Sequence, residues 1–171
     1  MTVDMRSFLQ EIKKTNDVFT VKKKVSTKYE IAAVTEKLDG SKAALFENIK
    51  GNKFKLVSNL VGTRDRFAQA IGSKKSDINQ KIVKAISSAK KPKISASAKF
   101  FENSTNDISI LPVVTHFQNE SGPFITSSIL YTKNQETKSQ NSSIHRLMPI
   151  GKNQFSIRMV EGRDLDRKSV V

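Results

Sequence analysis

The sequence predicts a mixed α/β (α+β) fold in two parts, an N-terminal α/β domain followed by a region of β structure. Three observations predict it. Before residue 90, four segments carry apolar residues at helical spacing, with short β-type runs between them. Beyond residue 107 the helical period disappears, and β-branched, alternating runs take over. Between the two lies KKPKISASAKFFENSTND, rich in Lys, Ser and Asn with one Pro, the composition of a connector. The expected organisation is a domain at 1–89, a connector at 90–107 and a second domain at 108–171.

The elements follow in order. Met5, Phe8, Leu9 and Ile12 fall at i, i+3, i+4 and i+7 and predict a helix over 4–14. DVFTVKKKV places Phe19, Val21 and Val25 on one face of a strand, with Lys23 the exception in that row. TKYEIAAVTEKLDG returns to helical spacing through Ile31, Val34 and Leu38, and Asp39-Gly40 is its stop signal. AALFENIKG and KFKLVSNLVG read as two short strands separated by a Gly turn. TRDRFAQAIG reads as a helix with Thr63 as N-cap and Gly72 just past its end. A helix from 76 to 89 is expected to bury Ile78, Ile82, Val83 and Ile86. Past the connector, ISILPVVTHF, GPFITSSILYT, SSIHRLMPI and FSIRMVE read as strands, the last two forming a hairpin across GKNQ.

Composition narrows the function. A hydrophobic content of 37% with seven Gly and four Pro is that of an ordinary globular chain. The chain has no cysteine, which excludes disulfides, thiolate metal sites and Cys nucleophiles and agrees with a reducing compartment. It also lacks any run of about eighteen apolar residues and any apolar signal-peptide core, so a cytoplasmic location without membrane partners is expected. Thirty Lys and Arg against sixteen Asp and Glu give a net charge of +14. Such a chain invites a nucleic-acid reading. Its lysines are spread singly, with one triplet at Lys22–Lys24 and no interleaved aromatics, so they are read as a solvated face and nucleic acid as an unfavoured partner. Neither a phosphate-binding GxxxxGK[ST] loop, a GxGxxG turn after a strand, an HExxH motif nor a Gly-x-Ser-x-Gly elbow occurs.

One short run concentrates chemistry. NSSIHR places an amide, two hydroxyls, an imidazole and a guanidinium within residues 141–146. Read singly, His145 is a surface or hydrogen-bonded histidine, and Arg146 alternates with Ile144 on a strand face. His116 lacks a partner at metal spacing and is read as structural.

MRSFLQEIKK, AALFENIKG, NLVGTRDRFAQAIG, LPVVTHFQNESGPFIT and NSSIHRLMPIGKNQFSIRMVEGRDL together resemble, in order and spacing, the UbiD family of reversible decarboxylases that use prenylated flavin mononucleotide (FMN). The wording of THF, SGPFIT and SIHRL is most similar to the branch that decarboxylates anhydromevalonate phosphate on a route to isoprenoids. The resemblance implies that the β region is part of a split β-barrel holding the flavin, and that the full-length family forms homo-oligomers. It assigns Asn141 to a divalent metal, manganese being the favoured ion, bridged to the flavin phosphate. It assigns Ile144, His145 and Arg146 to cofactor contact, and Arg146 also to pairing with a catalytic carboxylate. Arg158, Met159 and Val160 match a second cofactor segment, and Arg163 with Asp164 a third.

The implied substrate is a small unsaturated carboxylic acid, phosphorylated if the branch assignment holds. The family's second metal-binding carboxylate and its catalytic acid correspond to positions past Val171, so the barrel is expected to be incomplete and the chain truncated and inactive alone. Three positions depart from the family pattern: Ser121 and Lys138 stand where glycine is favoured, and Asp164 where relatives of the branch tend to have His. Three readings follow, in order of preference: the N-terminal portion of a UbiD-type decarboxylase, a non-catalytic binding or assembly subunit of the same fold, and a basic nucleic-acid-binding domain.

Overall fold

Asp4 starts the first helix by turning its carboxylate onto the free amides of the first turn. Its Oδ1 accepts from Arg6 N–H at 2.8 Å and Ser7 N–H at 2.9 Å, while the Ser7 hydroxyl accepts from the Asp4 amide at 3.1 Å. The computed structural model describes residues 4–90, 102–134, 136–163 and 165–166. Its contacts divide the chain into two units, residues 1–26 with 33–104, and residues 27–32 with 105–171.

The first unit runs α1 (Met5–Lys14), β1 (Val18–Val21), α2 (Glu30–Lys37, whose first turn belongs to the second unit), β2 (Ala43–Phe46), β3 (Leu56–Ser58), α3 (Arg64–Ala70) and α4 (Ile78–Ser87). The sheet order is β1-β2-β3, with β1 parallel and β3 antiparallel to β2. As the central strand, β2 is buried at all four positions, which is why AALF is a continuous apolar run. Phe8 and Ile12 of α1 pack with Ala43, and Leu9, Val18, Leu60 and Ala70 surround them. Burial of Phe8 and Ile12 contributes about 2–3 kcal/mol each. The helix stops occur where the residues predict them. Gly40 and Gly72 take φ of +66° and +64°, and the Thr63 hydroxyl accepts from Arg66 N–H at 3.2 Å.

Three expectations are corrected. The strand expected over DVFTVKKKV ends at Val21, and Phe19 is half exposed. Consecutive lysines have no apolar face with which to continue it, and only Val25 returns to the core through a bridge to Ile49. Ile78 of α4 is buried, but Ile82, Val83 and Ile86 are 39%, 65% and 75% exposed. The helix is anchored at its N-terminal end against the 3₁₀ turn Lys75–Asp77, and its remaining apolar ridge faces solvent. ISILPVVTHF forms a 3₁₀ turn at Ile108–Ile110 and single bridges at Val114 and Thr115 rather than a strand. There the Asp107 carboxylate captures Ser109 N–H at 3.0 Å, a side-chain bond that competes with a ladder.

The second unit carries β4 (Ile125–Lys133), β5 (Gln140–Pro149) and β6 (Phe155–Ile157), all antiparallel in that order. Its buried apolar residues are Ile31, Val114, Phe124 and Leu165. Residues 27–32 join it through Tyr29 N–H to Thr115 O at 3.1 Å and Thr115 N–H to Thr27 O at 3.1 Å. Of the expected connector, residues 91–101 lie outside the described residues.

A cavity on the open edge of a central strand

β5 is long and β6 is short. β6 pairs only with Leu147, Met148 and Pro149, so the stretch Asn141–His145 has no strand beside it on that side among the described residues. The chain leaves β6 at Ile157 and turns back over this gap. Gly162 takes φ of +75°, its amide donates to the Asp166 carboxylate at 2.9 Å, Arg163 N–H bonds Val160 O at 3.2 Å, and Leu165 is buried. The result is a cavity of about 600 Å³ lined by Asn141, Ser142, Ser143, Ile144, His145, Arg158, Val160, Arg163 and Leu165. Because it runs along a strand edge, it collects residues from both faces of β5.

Of the nine residues singled out from the sequence, the fold brings Asn141, Ile144, His145, Arg158, Val160 and Arg163 to this one cavity. Arg146 is not in the lining. Its guanidinium lies 4.4 Å from the centre of the buried Phe124 ring, a cation–π contact that fixes its direction. Met159 is about half exposed and also outside the lining. Asp164 lies outside the described residues.

The alternation of β5 leaves Asn141, Ser143 and His145 half-buried. Thr132 and Leu130 of β4 sit directly opposite Asn141 and Ser143, and the Ser128 hydroxyl donates to the carbonyl of His145. Three buried polar atoms here have no hydrogen-bond partner: Thr132 Oγ1, Asn141 Nδ2 and Ser143 Oγ. A buried donor left unmade costs about 1–3 kcal/mol, so such a group marks a place where an acceptor belongs. Sequence reading missed Thr132 and Ser143. The two-residue period from Asn141 would have found Ser143, whereas Thr132 becomes visible only with the strand register.

Among the described residues, the lining holds two guanidiniums, an imidazole, an amide and hydroxyls, and no carboxylate. That set fits an anionic, acceptor-rich group such as a phosphate ester. It does not by itself hold a divalent cation. Asn141 offers a single neutral ligand, and no group of three His, Cys, Asp or Glu residues able to bind metal exists among the described residues. A cation at Asn141 requires anionic oxygens from phosphate or carboxylates outside this lining.

The glycine-to-other departures also have visible consequences. Lys138 closes the β4–β5 loop at φ of +58°, the left-handed region that favours glycine. Ser121 sets its hydroxyl 3.8 Å from Met148 Sδ. Beside it, a Cβ at Gly122 would come within 3.1 Å of the same sulfur, so that position is tight. His116 lies 3.8 Å from Glu120, whose carboxylate accepts from His116 N–H at 2.9 Å and Phe117 N–H at 3.4 Å, a turn-forming role.

Comparison with known proteins supplies the context. The N-terminal domain model of 3-octaprenyl-4-hydroxybenzoate carboxy-lyase matches residues 9–86, and the Rift-related domain model of the same enzyme matches residues 88–169. The chain is 27% identical over 156 residues to anhydromevalonate phosphate decarboxylase of Methanothermobacter thermautotrophicus, covering 91% of this chain and 36% of that protein. Among solved structures, the UbiD-class enzyme HmfF from Pelotomaculum thermopropionicum in complex with FMN superposes with a TM-score of 0.87 at 28% identity, over 91% of this chain and 36% of that one. An evolved dimeric form of HmfF in complex with prenylated FMN gives a TM-score of 0.81 at 26% identity, over 91% of this chain and 38% of that one. The chain therefore spans little more than a third of the length of these relatives. With two domain models of one carboxy-lyase lying end to end along nearly all of its residues, the chain belongs to the UbiD family.

Proposed function

We propose that this chain carries the phosphate-anchoring part of a prenylated-FMN site serving the non-oxidative decarboxylation of a small unsaturated acid. The observation that carries the reading is the convergence of Asn141, His145, Arg158 and Arg163 on one cavity whose buried donors lack acceptors. Arg158 and Arg163 would take the phosphate in charge-assisted hydrogen bonds, with Ser143 and the Asn141 amide completing the cradle. Prenylated FMN, when bound, supplies the electron sink that lets a vinylic carboxylate leave as carbon dioxide. Arg146, whose guanidinium lies against the Phe124 ring, would pair with the catalytic carboxylate that the resemblance implies. Asn141 joins a metal, manganese by resemblance, only in company with phosphate oxygens. The relative from Methanothermobacter supports anhydromevalonate phosphate as the substrate, with isopentenyl phosphate as product.

The test compares FMN with riboflavin, which differ by the phosphate alone. Calorimetry or flavin fluorescence should show FMN binding more tightly, and Arg158→Ala with Arg163→Ala should abolish most of the difference. Equal affinity of the unaltered chain for the two flavins would refute a phosphate cradle here.

A second reading, a non-catalytic binding or assembly subunit, is favoured by one observation: among the described residues the cavity lining holds no carboxyl group able to donate a proton to product. It predicts flavin binding without a role in turnover under any conditions.

A further inference from the structure

The sequence spreads its lysines, but the fold of the first unit gathers six of them at one end of its sheet. β1 and β2 are parallel, so their C-terminal ends lie side by side. β3 is antiparallel, so its entry lies at that same end, with Leu56 opposite Phe46. The segment after β1 carries Lys22, Lys23 and Lys24, the segment after β2 carries Lys50, and the approach to β3 carries Lys53 and Lys55. These segments are tied together. The Asn48 amide donates to Lys22 O at 2.7 Å, Val25 N–H to Asn48 O at 3.1 Å, and Lys50 N–H to Val25 O at 2.8 Å.

All six lysines are exposed. Glu47 is a carboxylate on this end, and Lys55 takes it at 3.0 Å. Phe54 is 39% exposed between Lys53 and Lys55, and the Lys53 ammonium lies 5.9 Å from the centre of its ring. Phe54 is the interleaved aromatic that the reading of these lysines as a solvated face passed over.

We infer that this end of the sheet is a binding surface for single-stranded nucleic acid, with the lysines on phosphates and Phe54 as a stacking platform. A ridge of cations with one aromatic face suits a flexible polyanion whose bases have exposed rings. It suits a lipid surface poorly, because one partly exposed ring buries too little apolar area to anchor in a bilayer interface. The lysines and Phe54 belong to the first unit and none of them lines the cavity of the second, so the inference does not rest on the proposed decarboxylase role.

The test is a salt titration of oligothymidine binding by fluorescence anisotropy. Each lysine–phosphate contact on a single strand contributes about 0.7 to the slope of log affinity against log salt, so Lys22→Gln, Lys23→Gln and Lys24→Gln together should lower the slope by about 2. A charge-matched control, Lys74→Gln, Lys84→Gln and Lys90→Gln, should leave it unchanged, and circular dichroism checks that both variants fold. If both triple variants lower the slope equally, net charge and not this surface is responsible, and the inference fails. It fails also if the unaltered chain ignores oligothymidine at low salt but binds vesicles of anionic phosphatidylserine.

Discussion

Single residues show most sharply what a sequence displays and what it conceals. Arg66 sits in a helix beside the charged residues Arg64 and Asp65, yet it is 3% exposed. Its Nε donates to Leu60 O at 3.2 Å, Nη2 to Asn59 O at 3.2 Å and Nη1 to the carbonyl of Ser41. The planar fork holds three loop carbonyls that no helix or strand satisfies, a role a point charge cannot fill. Arg66→Met keeps the stem and loses every donor, so urea unfolding should report a loss of about 3 kcal/mol, and Arg66→Lys should recover only part of it. Lys138 is the opposite case. Its position before the Asn motif already favours glycine in the sequence, and its φ of +58° gives the reason. Lys138→Gly should therefore stabilise the hairpin by about 1 kcal/mol, read as a higher denaturation midpoint at unchanged slope.

At the scale of elements, the first helix was legible because its apolar period through Met5, Phe8, Leu9 and Ile12 is local, whereas its Asp4 cap was not read from the sequence. The cap makes the helix pH-sensitive. Hydrogen bonds from the Ser7 amide and then the Arg6 amide hold the Asp4 carboxyl below the usual aspartate range. Its folded value lies below its unfolded one, so the stabilisation is present above the ordinary aspartate pKa and is lost as pH falls through the folded value. Protection of the Arg6 and Ser7 amides from hydrogen exchange should fall as pH drops from about 5 to about 2, after correction for intrinsic exchange rates, and Asp4→Asn should flatten that dependence. Helix α4 was legible as a helix but not in its packing. Periodicity states that a face is apolar, not that another element of the described fold covers it. Ile78→Ala should accordingly cost about 2–4 kcal/mol, and Ile86→Ala less than about 0.5 kcal/mol, in paired denaturation curves.

For the whole molecule, the mixed α/β class was readable because helical and alternating periods both recur along the chain. The site was readable only in part. Asn141, His145, Arg158 and Arg163 are scattered over 23 positions, and what joins them is the shortness of β6, which opens the edge of β5 and lets the turn at Gly162 fold over it. No local pattern encodes that shortness; it follows from three-residue pairing at Leu147–Pro149 and from where the chain departs. The same geometry limits what the cavity can do. The resemblance gives the proton for the product carbon to a carboxylic acid, and a divalent ion needs anionic ligands, yet among the described residues the lining offers His145, guanidiniums and neutral donors and no carboxyl group. Binding and turnover should therefore separate. The 171-residue chain supplied with prenylated FMN and an unsaturated acid should retain a preference for the phosphorylated flavin while releasing no carbon dioxide above the background of free cofactor. Headspace carbon dioxide measured beside flavin binding on the same sample distinguishes the outcomes. Turnover by this chain alone would show that His145 or a group outside the described lining donates the proton, and the division of labour argued from the cavity would then be wrong.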